Sequence, residues 1–202
     1  MSAAATAALA ILRQHQETIS KLEPLLPALL DFAARLIRCL ERGGTVLWMG
    51  NGGSAGDAQH LSAELIGRFQ RERRALRSLA LSTDTSALTA MANDFGYEQV
   101  FARQLEALAG PADVVVAIST SGSSKNVCAG AAMARRQGAS VVALTGQGGG
   151  ALSALSDLLI AVPSTVTARV QEAHILIGHL VCDLVDAHVA GQSAAAPPPG
   201  AP

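Results

Sequence analysis

Thr45-Val46-Leu47-Trp48-Met49-Gly50-Asn51-Gly52-Gly53-Ser54-Ala55-Gly56-Asp57-Ala58-Gln59-His60 joins an apolar run to a glycine-rich turn and then to a helical pattern. An apolar strand that ends in glycines and opens a helix at Ser54 leaves backbone N–H groups unpaired at the helix N-terminus. Together with the helix dipole, those amides attract an anion. The turn is therefore expected to bind a phosphate or a sugar phosphate. The same helix carries His60 and Glu64 four residues apart, which places an imidazole and a carboxylate on one face, one turn apart.

Outward from this stretch, apolar runs recur at 78–82, 113–118, 140–145 and 158–162. Helical patterns at 55–67, 97–108, 124–137 and 152–156 separate them, and a long one runs from 168 to 190. Strands alternating with helices require crossover connections, so the sheet is expected to be parallel and the class α/β. Residues 4–42 carry helical periodicity interrupted near Pro24 and Pro27, which predicts two lead-in helices. The expected organisation is a helical segment 1–42, one domain over 43–190 and a tail 191–202. The tail's four prolines, with Ala and Gly around them, predict disorder.

Composition narrows the class. The 202 residues, 50% hydrophobic, suffice for one well-buried domain, and a net charge of -1 gives no electrostatic reason to expect a nucleic-acid partner. Aromatics are only 3%, so the core must be built from Ala, Leu and Val. Cys39, Cys128 and Cys182 have no C-x-x-C spacing and read as small hydrophobes in a reducing, cytoplasmic setting. Residues 1–12 are apolar but lack a basic leader and give way to charge at Arg13 and Glu17, so a helix is expected there rather than a signal peptide. No stretch is expected to reach the length of a membrane span, and no membrane partner is expected.

A second anion signal follows the run Val114-Val115-Val116-Ala117-Ile118. Ser119-Thr120-Ser121-Gly122-Ser123-Ser124 offers five hydroxyls and one glycine at the mouth of the next helix. Such a turn can wrap a phosphomonoester with O–H and N–H donors and needs no lysine. Ligands of open parallel sheets bind at the carboxyl ends of strands, so both turns can face one crevice. The arginines at 68, 71, 73, 74 and 77 read as a solvated connection or a subunit contact, His174 as a core histidine, and His15 and His188 as solvated.

These motifs, with Thr83-Asp84-Thr85-Ser86, Asn93-Asp94, Gln171-Glu172 and His179, occur in the order that resembles the sugar isomerase (SIS) domain family and, within it, the phosphoheptose isomerase family. The resemblance spans about residues 10 to 190. It implies a three-layer Rossmann-like domain with a five-stranded parallel sheet flanked by helices. It also implies conversion of sedoheptulose 7-phosphate to D-glycero-D-manno-heptose 7-phosphate through an enediol, in a homotetramer with sites between subunits. Carried onto this chain, one zinc per subunit would be held by His60, Glu64, Gln171 and His179, with Glu64 as base and His179 as acid. Substrate would meet Asn51, Gly52, Gly53, Ser54, Glu64, Asn93, Asp94, Ser119, Thr120, Ser121, Ser124 and Gln171. The chain departs from many relatives at Arg73–Arg77, where a proline-containing connection is common, and at Ala168, where some carry an acidic residue.

Two other readings compete. A catalytically inactive SIS-domain binding protein, of the kind that associates with a replication initiator, needs only the two turns and leaves Glu64 and His179 without a role. A dinucleotide site could use Gly50, Gly52 and Gly56 but expects an acidic residue closing the second strand, and Glu72 falls before that strand. Gln171 and His179 are eight residues apart on one predicted helix, about 12 Å along its axis and about 80° around it. One ion shared by both side chains therefore requires them to lean together or a neighbouring subunit to supply one.

Overall fold

The computed structural model describes residues 1–195, with side chains to 192. The lead-in is two helices, α1 (Ala3–Ser20) and α2 (Leu26–Glu41), separated by a 3-10 turn at Glu23–Leu25. Pro24 and Pro27 fall at the first positions of that turn and of α2, where a missing N–H costs no helical hydrogen bond. Five strands follow: β1 (Val46–Gly50), β2 (Ser78–Ala80), β3 (Val114–Ser119), β4 (Ser140–Thr145) and β5 (Leu158–Ala161). All pair in parallel, in the order β2-β1-β3-β4-β5. Between and after them run α3 (Gly53–Ile66), α4 (Thr85–Phe95), α5 (Val100–Leu108), α6 (Lys125–Arg136) and α7 (Thr167–Ala195), with 3-10 turns at Tyr97–Gln99 and Gly150–Ala154.

The period-two geometry of the strands divides the apolar residues between two cores. Val46 and Trp48 of β1 and Val114, Val116 and Ile118 of β3 pack under α2, α3 and α7. Leu47, Met49, Val115 and Ala117 point the other way, onto α5 and α6. Helices on both faces of a parallel sheet make the three-layer α/β architecture expected from the strand–helix alternation.

Three expectations are corrected. The second apolar run ends as a strand at Ala80, and the segment after it folds as α4, where the alternation predicted no helix. The signal was present: the Asp84 carboxylate accepts from the Ala87 N–H at 2.9 Å as an N-cap, and Leu88, Met91 and Ala92 follow at helical spacing. The last helix extends through Ala195, five residues into the expected tail, while 196–202 lie outside the described residues. Within it, Thr167–Gln192 is long and apolar enough to cross a membrane, although no apolar run of that length had been expected. Half of its most apolar window is buried inside the fold, which accounts for the composition: the helix packs on α2, α3 and the sheet.

Candidate active site

The chain leaves β1 for one side of the sheet to make β2, then crosses to the other side to make β3. The carboxyl ends of β1 and β3 therefore flank the topological switch point, where open α/β sheets form their ligand crevice. After β1, Asn51 and Gly52 lead into α3, whose N-terminus has no side-chain cap; the Ser54 and Ala55 N–H groups turn back onto the Asn51 and Gly52 carbonyls, which leaves those of Gly52 and Gly53 as donors for an anion. After β3, the hydroxyls of Ser119 and Ser124 lie 2.9 Å apart and those of Ser119 and Ser121 3.4 Å apart. Ser119 is buried, and the N-terminus of α6 likewise takes no side-chain cap. Three converging hydroxyls at a helix N-terminus can donate to an anion such as a phosphate.

The two turns are tied together at Asn51 by two residues the sequence did not flag, Asn126 and Tyr97. The amides of Asn51 and Asn126 exchange reciprocal hydrogen bonds of 2.8 Å, and the Tyr97 hydroxyl donates to Asn51 Oδ1 at 3.1 Å. Asn126 is buried, so Asn51 serves first as the brace between the turns. Asn93 and Asp94 are exposed at the end of α4, where Asn93 Nδ2 donates to Asp94 Oδ1 at 2.8 Å.

The reactive groups sit where α3 and α7 lie side by side. His60 Nε2 is 2.8 Å from His179 Nε2 and 3.4 Å from Glu64 Oε1. One ligand atom from each of the three lies within 4.8 Å of the others. Close helix contact makes this possible, because a Cβ on Gly178 would lie 2.4 Å from Leu61 Cδ1. About two turns toward the N-terminus from Gly178 and on the same side of α7, Gln171 Nε2 would lie 2.6 Å from a Cβ on Gly53, so it reaches the glycine turn. Gly53 precedes His60 by seven residues, about 10 Å along α3. Gln171 thus lies beside the glycine turn and His179 beside His60 and Glu64. His179 also stacks on Phe69, with centroids 5.4 Å apart and planes at 25°.

Two imidazoles and a carboxylate are the donor set of three-ligand zinc sites, which keep a fourth position for water or substrate. The residues present therefore fit a metal of that kind. Asp57, one turn before His60, was not foreseen. Its Oδ2 is buried without a hydrogen-bond partner, and burial pushes its carboxyl up to about 6, although His60 nearby pulls the other way.

A SIS domain family model matches residues 11–146. The chain is 52% identical over 176 residues, 87% of its length and 93% of the relative's, to a phosphoheptose isomerase of Geobacter metallireducens. The chain belongs to the SIS domain family and, within it, to the phosphoheptose isomerases. Solved phosphoheptose isomerases superpose closely. That of Neisseria gonorrhoeae gives a TM-score of 0.86 at 41% identity, covering 90% of this chain and 98% of its own. That of Francisella tularensis gives 0.87 at 37% identity, covering 93% and 100%.

Other expected roles change or hold within this family fold. His174 is fully buried and bonds the Thr145 carbonyl at 3.1 Å, a core histidine whose pKa burial lowers to about 4. His15 and His188 are solvated as expected, with 43% and 38% of their side-chain surface accessible, and also pair with Glu172 at 2.7 Å and Glu41 at 2.9 Å. Of the arginine run, Arg73 is turned fully inward, and Arg71 pairs with Asp183 at 2.6 Å. Cys39 and Cys182 are buried free thiols, pushed up by burial to about 11 and about 12, and Cys128 is a half-buried free thiol.

Proposed function

We propose that this protein interconverts sedoheptulose 7-phosphate and D-glycero-D-manno-heptose 7-phosphate, an aldose–ketose isomerisation. The observation that carries this reading is the convergence of His60, Glu64 and His179 in a groove that begins at two anion-binding turns. The phosphate would sit on Ser119, Ser121 and Ser124, with Thr120 beside it. Asn51, Gly52, Gly53, Ser54 and Gln171 would line the sugar, and Asn93 and Asp94 the mouth of the crevice. Glu64 takes the proton from C1 of the ketose, and the electron pair forms the C1–C2 double bond of an enediol. His179 gives a proton to C2, the C1 hydroxyl proton passes to the C2 oxygen as the aldehyde forms at C1, and the proton taken up by Glu64 returns to His179, so that one C–H is broken and one made. A zinc ion held by His60, Glu64 and His179 would polarise the substrate carbonyl, and Gln171, seated at the glycine turn, would complete the set by leaning toward the ion or from a neighbouring subunit. The same reading makes the protein a cytoplasmic homotetramer with sites shared between subunits.

The test is to mix the purified protein with sedoheptulose 7-phosphate and follow the sugar signals by NMR. Glu64→Gln and His179→Ala should each lower turnover at least about a hundredfold, the scale of general acid–base catalysis, while leaving substrate binding largely intact. Near-wild-type turnover in either variant would remove its assigned role, and no turnover in the parent would favour a binding-only protein.

A further inference from the structure

The loop from Gly67 to Arg77, between α3 and β2, is built around one buried guanidinium. Arg73 and Asp186 have no exposed side-chain surface, and Arg73 Nε donates to Asp186 Oδ1 at 2.6 Å. The remaining donors of Arg73 go to backbone carbonyls: Glu64 at 2.7 Å, Leu65 at 3.0 Å, Gly67 at 3.1 Å and Arg74 at 2.9 Å. Those of Glu64, Leu65 and Gly67 belong to the last turn of α3 and its end, where carbonyls have no helical partner. Arg73 therefore caps the turn that bears Glu64. Asp186 Oδ2 accepts from the backbone N–H groups of Gln70 at 3.1 Å and Arg71 at 2.7 Å, the two residues after Phe69. Seven residues separate Asp186 from His179, two turns of α7, so both lie on the side of α7 that faces α3 and its loop.

We propose that Arg73 and Asp186 are positioning residues of the isomerase, which fix the Glu64 turn of α3 and hold the Phe69 ring against His179. The assignment of Glu64 and His179 as acid–base groups is the reading on which this rests. The consequence is geometric. An imidazole that stacks on Phe69 and meets His60 edge-on at 5.1 Å has its orientation constrained by both rings. A structural role for the buried pair would require only that the loop be attached; it would not require an aromatic ring over His179.

Phe69→Leu separates the two, because it keeps the apolar volume and leaves the buried pair intact. In the purified full chain we expect this variant to lose about tenfold in kcat with KM within about twofold, the pattern of a misplaced reacting group whose substrate contacts survive. Its thermal midpoint should be unchanged, Phe69→Tyr should restore kcat, and the His179 ring-proton NMR signal should move in the Leu variant and return in the Tyr variant. Arg73→Lys, which cannot reach five acceptors from one point charge, should show the same signal shift with a lower midpoint. Wild-type kcat and an unmoved His179 signal in Phe69→Leu would overturn the proposal. That signal reports ring placement whatever the turnover, so an active Glu64→Gln variant would defeat the acid–base assignment separately.

Discussion

Asp57 carries an energetic cost whose direction the site fixes. In an unfolded chain an aspartate ionises near pH 3.9. Here burial raises it to about 6, and its Oδ2 has no donor to compensate. Stability from the protonated folded form is complete below about pH 4 and is lost as the pH rises through about 6. Asp57→Asn should therefore stabilise the protein by roughly 1–2 kcal/mol at pH 7.5, a figure reduced for partial exposure, and the advantage should vanish near pH 4. Urea unfolding at the two pH values measures this. A loss of turnover in the same stabilised variant would mark Asp57 as a carboxylate kept for function; an unchanged stability difference across pH would show that its ionisation is not what strains the fold. The sequence made the serine cradle, His60, Glu64 and His179 legible because each sits at a fixed offset after a strand or along one helix. Asn126, Phe69 and Asp186 were illegible, since their meaning depends on partners 75 or more residues away in the chain, as with Asn51 and Asn126, or Arg73 and Asp186.

Helices α3 and α7 turn one-dimensional spacing into a groove, and Gly178 sets their separation. Leu61 is fully buried, so a methyl at 178 that would approach within 2.4 Å of its Cδ1 has no free volume to push it into. Gly178→Ala should cost about 1–3 kcal/mol as an overpacked core. Because His179 is the next residue, the helix shift should also reduce turnover. Denaturant unfolding and kcat measured together test the coupling, and a stable variant with reduced kcat or an unstable one with normal kcat would break the link between helix spacing and the reactive pair. At this scale the sequence was most readable where periodicity was long. The five strands were placed to within two residues, because buried parallel strands are uninterrupted apolar runs. Helix α4 escaped because its apolar positions are only partly buried and its first turn reads as a motif of hydroxyls, while the end of α7 was blurred by the change to alanine and proline.

The helical lead-in is the part of the molecule least explained by the single chain. Of the 18 residues of α1, only Thr18 is buried, and the helix is tied to α7 by polar contacts: Arg169 to the Ile11 carbonyl at 3.0 Å and His15 to Glu172. Ile11 and Leu12 of α1, Leu26 and Leu30 of α2 and Leu176 of α7 remain exposed, and a recess of about 220 Å³ between these helices is lined by Ile19, Leu22, Leu26, Leu29, Leu176 and Leu180. Apolar residues clustered on three neighbouring helices are what a subunit interface supplies before assembly. The protein should therefore sediment as a multiple of its 20.6 kDa chain. Leu26→Glu combined with Leu176→Glu places charge on that face and should shift the species toward the monomer without disturbing the sheet cores, which lie on the far side of α2 and α7. If the sites are shared between subunits, turnover and metal content should fall together with assembly, by mass action. Sedimentation, metal analysis and turnover on one preparation decide it: a metal-loaded, fully active monomer would mean that each chain completes its own site.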